Sequence, residues 1–249
     1  MPREHYHIFG PLYGFHDQFM ELVERLGYDL SDPKVPVPPP GRTPVSLGGI
    51  VGPGEGSLKL LGLFMEWSRQ GIAVVVPGEV EEKLFRYALG RLDRPEEELA
   101  GLWPELRRMG EKELAGFLAE YERFFASLPP FRVLGGELIA VHRALTPESL
   151  AQPLTMKTRQ LCIGGAGTEE GKGSSGPTLE WVWEWNGVER VVCAGAPTRE
   201  SRWVNRCIFL DGGAPWGGRI ICLLYPELEM VTVETPRVRG DHELADFPQ

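Results

Sequence analysis

Three times in the first ninety residues an apolar stretch runs into a glycine turn and then into a segment of helical periodicity, and this alternation restricts the fold more than any other feature of the chain. Ile8 and Phe9 lead through "GPLYG" to Phe15, Phe19, Leu22, Val23 and Leu26. Residues 45–47 lead through "GGIVGPGEG" to Leu60, Leu61, Phe64 and Trp67, and residues 72–76 lead through Pro77-Gly78 to a helix over about 80–89. Apolar positions recurring at this spacing fall on one face of a helix, so the helices predicted over 15–27 and 57–70 each have one face to bury. Strand, loop and helix in repetition predict an α/β protein with a layered sheet. Gly27 and Gly71 suit the ends of two of these helices, because glycine tolerates the left-handed conformation that closes a helix. The proline-rich stretch "SDPKVPVPPPGRTP" between the first two units cannot be helical, since each proline removes a backbone donor and restricts its predecessor.

The texture changes along the chain. Residues 91–127 are charged and helical in pattern, broken at Pro104, and read as a helical insertion or cap. From Phe131 onward short apolar runs ("FRVLGG", "ELIAVH", "ERVVCAG", "NRCIFLDGG", "GGRIICLLYP", "EMVTVET") separated by glycine turns predict strands. Between them, "GGAGTEEGKGSSGP" is a loop by composition; its register fails as a phosphate-binding P-loop, because Ala166 stands where that motif needs glycine and Gly173 follows Lys172. "LEWVWEW" suits either a strand with three tryptophans on one face or a short helix. The expected architecture is a single domain over 1–249, with a core from about 6 to 235, a C-terminal tail over 236–249, and two packed sheets flanked by helices.

A hydrophobic fraction of 42% and a charged fraction of 24% are those of a globular chain. The net charge of −9 disfavours nucleic acid or an anionic membrane as a main partner. No apolar run approaches the roughly 20 residues that span a bilayer, and "MPREHYH" has no signal-peptide character, so a cytoplasmic location is expected. The cysteines Cys162, Cys193, Cys207 and Cys222 have no metal-site or disulfide-scaffold spacing, and three of them fall in strand-like stretches that suit buried thiols.

Loop order, together with "LLGLFMEWSRQGIAVVVPG", "FASLPPFRVLGGELIAVH", "KTRQLCIGG" and "RWVNRCIFLDGGAPWGGRIICLLYPE", resembles the calcineurin-like metallophosphoesterases. Within them it is most similar to the bacterial branch that holds the phosphatase domain of polynucleotide kinase-phosphatases and the diadenosine tetraphosphatase-like enzymes. The resemblance implies a four-layer αββα sandwich and a pair of divalent metals such as Mn or Fe/Zn, which activate water and clamp phosphoryl oxygens. It also allows each site position to be inspected. In the first loop, G-D-x-H-G, the aspartate position is Pro11 and the histidine position is Tyr13. In the second, G-D-x-x-D-R-G, the two aspartate positions are Gly49 and Gly52 and the phosphate-binding arginine is Pro53. In the third, G-N-H followed by an acid, the positions are Glu79, Val80 and Glu81. The fourth-loop histidine survives as His142, and the fifth-loop histidine is Ala196.

These replacements lead to the expectation of a catalytically inactive, pseudo-phosphatase form of the fold with no catalytic residue and no cofactor, His142 and Glu79 being the remaining weak metal candidates. It would act by binding a phosphorylated small molecule or a protein partner, with an oligomer as a further option. The alternative is a working metal-dependent phosphoesterase whose rearranged site recruits His142, Glu79, Glu81, His16 or Asp211. A backbone anion site is expected at the glycine loop from Gly49 to Glu55, where N–H groups precede a helix, with Arg143 or Arg159 nearby. Solvent exposure is the competing reading for Lys157, Arg159 and Arg143. A backbone hydrogen bond at a strand end is the competing reading for His142, helix N-terminal placement for Glu79 and Glu81, and a structural acceptor role for Asp211.

Overall fold

The computed structural model describes residues 4–32, 34–91, 99–151, 153–164 and 181–242. The three repeated units take the expected form: β1 (His5–Phe9) and α1 (His16–Arg25), β2 (Arg42–Ser46) and α2 (Ser57–Arg69), β3 (Val74–Val75) and α3 (Glu79–Ala88). The third strand is shorter than its apolar run, and only Val45 and Ser46 pair with it. The charged stretch forms α4 (Trp103–Leu106) and α5 (Glu111–Ser127), part of the expected insertion lying outside the described residues.

The sheet-rich half follows with β4 (Phe131–Leu134), β5 (Leu138–Val141), α6 (Pro147–Ala151), α7 (Met156–Gly164), α8 (Trp181–Glu184), β6 (Arg190–Cys193), β7 (Cys207–Phe209), β8 (Arg219–Tyr225) and β9 (Glu229–Glu234). "LEWVWEW" thus resolves into a short helix at its centre: Val182 and Trp185 are buried while Trp183 is exposed, and Asn205 Nδ2 donates to the carbonyls of Val182 and Trp185. Most of the glycine-rich loop expected over 164–177 lies outside the described residues.

The strands form two sheets, ordered β3-β2-β1-β8-β9 and β4-β5-β6-β7. The strands that carry the loops of interest run parallel within each sheet, β1 with β2 and β3, and β5 with β6 and β7. Alternate side chains of a strand point to opposite faces, and three apolar layers result. Between the sheets lie Tyr6, Ile8, Val45, Leu47, Leu138, Ala140, Val192, Ile208, Ile221 and Leu223. Phe9 faces the other way, onto an aromatic cluster of Phe19, Phe64 and Trp67 from α1 and α2. Ile139, Val141, Val191, Cys193 and Phe209 face α7 and α8 through Cys162, Val182 and Trp181. Helix, sheet, sheet, helix is therefore the layer order. Cys162, Cys193, Cys207 and Cys222 are all buried free thiols. Among the described residues no helix is long and apolar enough to cross a membrane.

Candidate functional site

Because the loop-bearing strands are parallel within each sheet, their C-terminal ends deliver six loops to one edge of the sandwich. Contacts between them confirm the convergence. The Gly49 carbonyl accepts the N–H groups of Leu12 (2.8 Å) and Tyr13 (2.7 Å), which joins the first loop to the second. His142 Nδ1 donates to the Leu47 carbonyl at 2.7 Å, which joins the fourth loop to the second. A Cβ placed on Gly195 would stand 2.9 Å from His142 Nε2 and 3.0 Å from Arg143 Cδ, so the fifth loop closes over the fourth.

Glu81 is the centre of the second and third loops. Its buried carboxylate accepts four backbone N–H groups, those of Gly49 (2.8 Å), Ile50 (2.8 Å), Val51 (3.1 Å) and Gly78 (3.0 Å). Burial pushes its pKa up and the four hydrogen bonds oppose the rise. The expected backbone anion site at the glycine loop is thus corrected: part of the N–H cradle exists, but the chain's own carboxylate fills it. Gly78 is required here, since a Cβ would stand 2.6 Å from the Glu81 oxygen. Glu81 lies in the first turn of α3, as expected, but its reach across to residues 49–51 leaves no trace in residue spacing.

Pro11 packs on Gly49, where φ is +67°. The Gly52 N–H donates to Ser57 Oγ at 3.1 Å, and Pro53 lines a surface pocket of about 570 Å³ shared with His16, Gln18, Glu55, Lys59 and Val238. Val80 and Ala196, both at histidine positions, are buried in the apolar layers. His16 is partly exposed and bonded to Asp17, away from the loop junction, and Lys157 is exposed. Arg159 is a second correction. Its guanidinium donates to the Leu128 carbonyl at 3.1 Å and lies over the Phe125 ring, so it braces α5 instead of facing the cleft.

What remains at the junction is compact. His142 is buried, and burial lowers its pKa to about 4, so at neutral pH the ring is uncharged, with its proton on Nδ1 and its lone pair on Nε2. Arg143 Nη1 donates to Glu79 Oε2 at 3.1 Å, and Glu79 also pairs with Lys83 at 3.2 Å. The Tyr13 hydroxyl donates to Asp211 Oδ2 at 2.7 Å, while the Gly213 N–H holds Oδ1 at 3.0 Å. Burial raises the Asp211 carboxyl above its usual range and, with the Asp211 charge adding to it, holds the Tyr13 phenol well above 10, so the phenol is a hydrogen-bond donor and not a nucleophile. Asp211 is the structural acceptor expected, and His142 has the expected backbone bond. The Tyr13–Asp211 pair was missed; the aromatic residue at a former ligand position was its only trace.

A pair of bridged divalent ions does not fit this donor set. Pro11, Gly49 and Ala196 offer no side-chain donor atom, and among the described residues no group of three or more His, Cys, Asp or Glu side chains could hold a metal ion.

The layer order and the convergence of loops at one sheet edge are those of the calcineurin-like phosphoesterase fold. The curated relatives that this chain resembles belong to the diadenosine tetraphosphatase-like branch. It is 28% identical over 230 residues to the asymmetrical bis(5'-nucleosyl)-tetraphosphatase PrpE of Anoxybacillus flavithermus, covering 92% of this chain and 93% of that one. It is 24% identical to the protein of the same name from Halalkalibacterium halodurans, over 97% of this chain and 98% of that one. A solved structure of a protein proposed to be a diadenosine tetraphosphatase superposes with a TM-score of 0.64 at 19% identity, over 94% of this chain and 95% of that one. A protein serine/threonine phosphatase from Saccharomyces cerevisiae superposes with a TM-score of 0.55 at 10% identity, over 97% and 82%. No family model matches the chain.

These relatives overturn the expectation of a catalytically inactive protein without a cofactor. The curated proteins that match nearly end to end are named as tetraphosphatases, and the family that the chain resembles implies divalent metals. The loss of side chains at Pro11, Gly49 and Ala196 is where this chain parts from that family.

Proposed function

We propose that the chain is a phosphoesterase acting on a nucleoside polyphosphate through a rearranged centre at His142, Arg143, Glu79, Tyr13 and Asp211. The observation that carries this reading is the end-to-end similarity to proteins named as asymmetrical bis(5'-nucleosyl)-tetraphosphatases. Of the residues expected for a rearranged site, Glu81 is committed to four N–H groups and His16 stands apart, which leaves His142, Glu79 and Asp211. The uncharged His142 ring can hold a proton in transit or contact a cation at Nε2, Arg143 can orient a phosphoryl oxygen, and Glu79 is the acid beside it. A polyphosphate carries its divalent cation with it and needs only one or two protein ligands, so metal dependence is compatible with a donor set too small for a resident pair. The reading assigns the protein to the cytoplasm, supported by the four free thiols.

The test is hydrolysis of diadenosine tetraphosphate with Mg, Mn, Co or Ni and with chelator, the products separated by ion exchange. The expected products are one mononucleotide and one nucleoside triphosphate, with turnover reduced at least about 100-fold by His142→Ala. No turnover above the metal-only background, or turnover untouched by His142→Ala, overturns the reading.

A further inference from the structure

Of six buried side-chain polar atoms without a hydrogen-bond partner among the described residues, three, Arg143 Nε, Thr198 Oγ1 and Arg239 Nη2, belong to residues that bond to the Tyr13–Asp211 pair or act on it through their charge. Thr198 is only 1% exposed, and its N–H donates to the Asp211 carbonyl at 2.9 Å. The charges of Arg143 and Arg239 both act on the Tyr13 hydroxyl, and that of Arg143 acts on Asp211 as well. Arg239 comes from the far end of the chain. The N–H groups of Val238 and Arg239 both donate to the Pro215 carbonyl, at 3.0 and 2.9 Å, and this brings the segment against the loop that follows Asp211.

A buried donor left unmade costs roughly 1–3 kcal/mol, so native proteins keep very few of them. Two guanidinium N–H groups and a hydroxyl left unmet on residues beside the same Tyr13–Asp211 pair call for a partner rich in acceptors. Glu79 takes only one edge of Arg143, its Nη1, and Asp211 is already engaged by Tyr13 and Gly213. A phosphate, with several acceptor oxygens and a charge to match guanidinium, meets that description.

We propose that Arg143, Arg239 and Thr198, beside the Tyr13–Asp211 pair, form the binding site for a phosphate group of the polyphosphate substrate. The inference rests on the phosphoesterase reading, and none of the three residues stands where the family resemblance places a metal ligand or the phosphate-binding arginine. The surface pocket of about 570 Å³ is lined by other residues, of which Gly14 and Val238 are the sequence neighbours of Tyr13 and Arg239. Asp211 and Glu79 also face the site, and their charges weaken the binding of any anion that lacks a cation.

Calorimetry on the intact protein without metal, titrated separately with inorganic phosphate, tripolyphosphate and ATP, tests the site. Saturable binding of tripolyphosphate is expected, with phosphate alone weaker and ATP equal or tighter. Arg239→Gln should weaken tripolyphosphate at least tenfold and Thr198→Val several-fold, each with a melting curve to establish folding. Arg237→Gln, which removes an exposed charge paired with Asp241, should leave binding unchanged. The proposal is overturned if the wild type binds none of the three probes, if Arg239→Gln and Thr198→Val bind as the wild type does, or if Arg237→Gln weakens binding as much as Arg239→Gln. Turnover is not read in this experiment, so its failure and that of the hydrolysis assay are separable.

Discussion

Pro11 and Gly49, where the family resemblance places two aspartates, touch: a Cβ built on Gly49 would lie 2.7 Å from Pro11 Cβ. The two replacements therefore depend on each other, since the ring occupies the space that any side chain at 49 would need. Gly49 also has φ +67°, which costs an L-residue about 1–2 kcal/mol. Gly49→Ala should destabilise the protein by about 2–5 kcal/mol in urea unfolding, the strain adding to an overpacking cost of about 1–3 kcal/mol. In a Pro11→Gly background the overpacking part should vanish and the strain remain. A double-mutant cycle without coupling would show that the two residues are independent.

Glu81→Gln keeps the shape of the side chain but turns an amide N–H₂ toward backbone donors. With four N–H groups to satisfy and one acceptor oxygen, the variant should lose about 2–4 kcal/mol of stability. A loss below about 1 kcal/mol in the same unfolding assay would mean that the four N–H groups find other partners.

Tyr13→Phe leaves the Asp211 carboxylate with the Gly213 N–H as its remaining described donor. The expected cost is about 1–3 kcal/mol, read as a lower melting temperature at neutral pH. A variant as stable as the wild type would show that the hydroxyl contributes nothing to holding Asp211.

Acid should weaken the fold before any carboxylate of ordinary pKa titrates. Burial lowers both His7 and His142 to about 4 from the usual 6.5. For each, the unfolded chain binds a proton more readily than the folded one between these values. The stability each ring contributes is complete above pH 6.5 and falls by up to ~1.4 kcal/mol per unit as pH drops toward 4. Urea unfolding at pH 7, 6 and 5 should show the decline, and His7→Gln should remove about half of its slope, the remainder belonging to His142. A stability that is level over this range would place both rings in water.

The fold was legible because its signals are local. Phe15, Phe19 and Leu22 announce one helix face, and the glycines mark where strands end. The resemblance then ordered the loops. The site was less legible, because its bonds join residues far apart in sequence. That Glu81 would fill the glycine loop, or that Arg159 would turn to the Leu128 carbonyl, depends on side-chain direction, which periodicity does not record. Reading Pro11, Gly49 and Ala196 as a loss of activity weighed side chains one by one, and the relatives corrected it. Arg239 lay in a segment set aside as a tail, and only the Pro215 carbonyl reveals where it goes.

The pairing of β1 has a consequence for how the chain comes to be folded. One edge of β1 pairs with β2, which is synthesised soon after it, but the other pairs with β8, with Phe9 opposite Cys222. An emerging polypeptide thus carries an unpaired, apolar strand edge until β8, at Arg219–Tyr225, has been made. Non-local pairing of this kind slows folding and exposes intermediates to aggregation. Truncation before β8 would leave the first sheet open at its centre, whereas loss of β9 would remove only an edge strand.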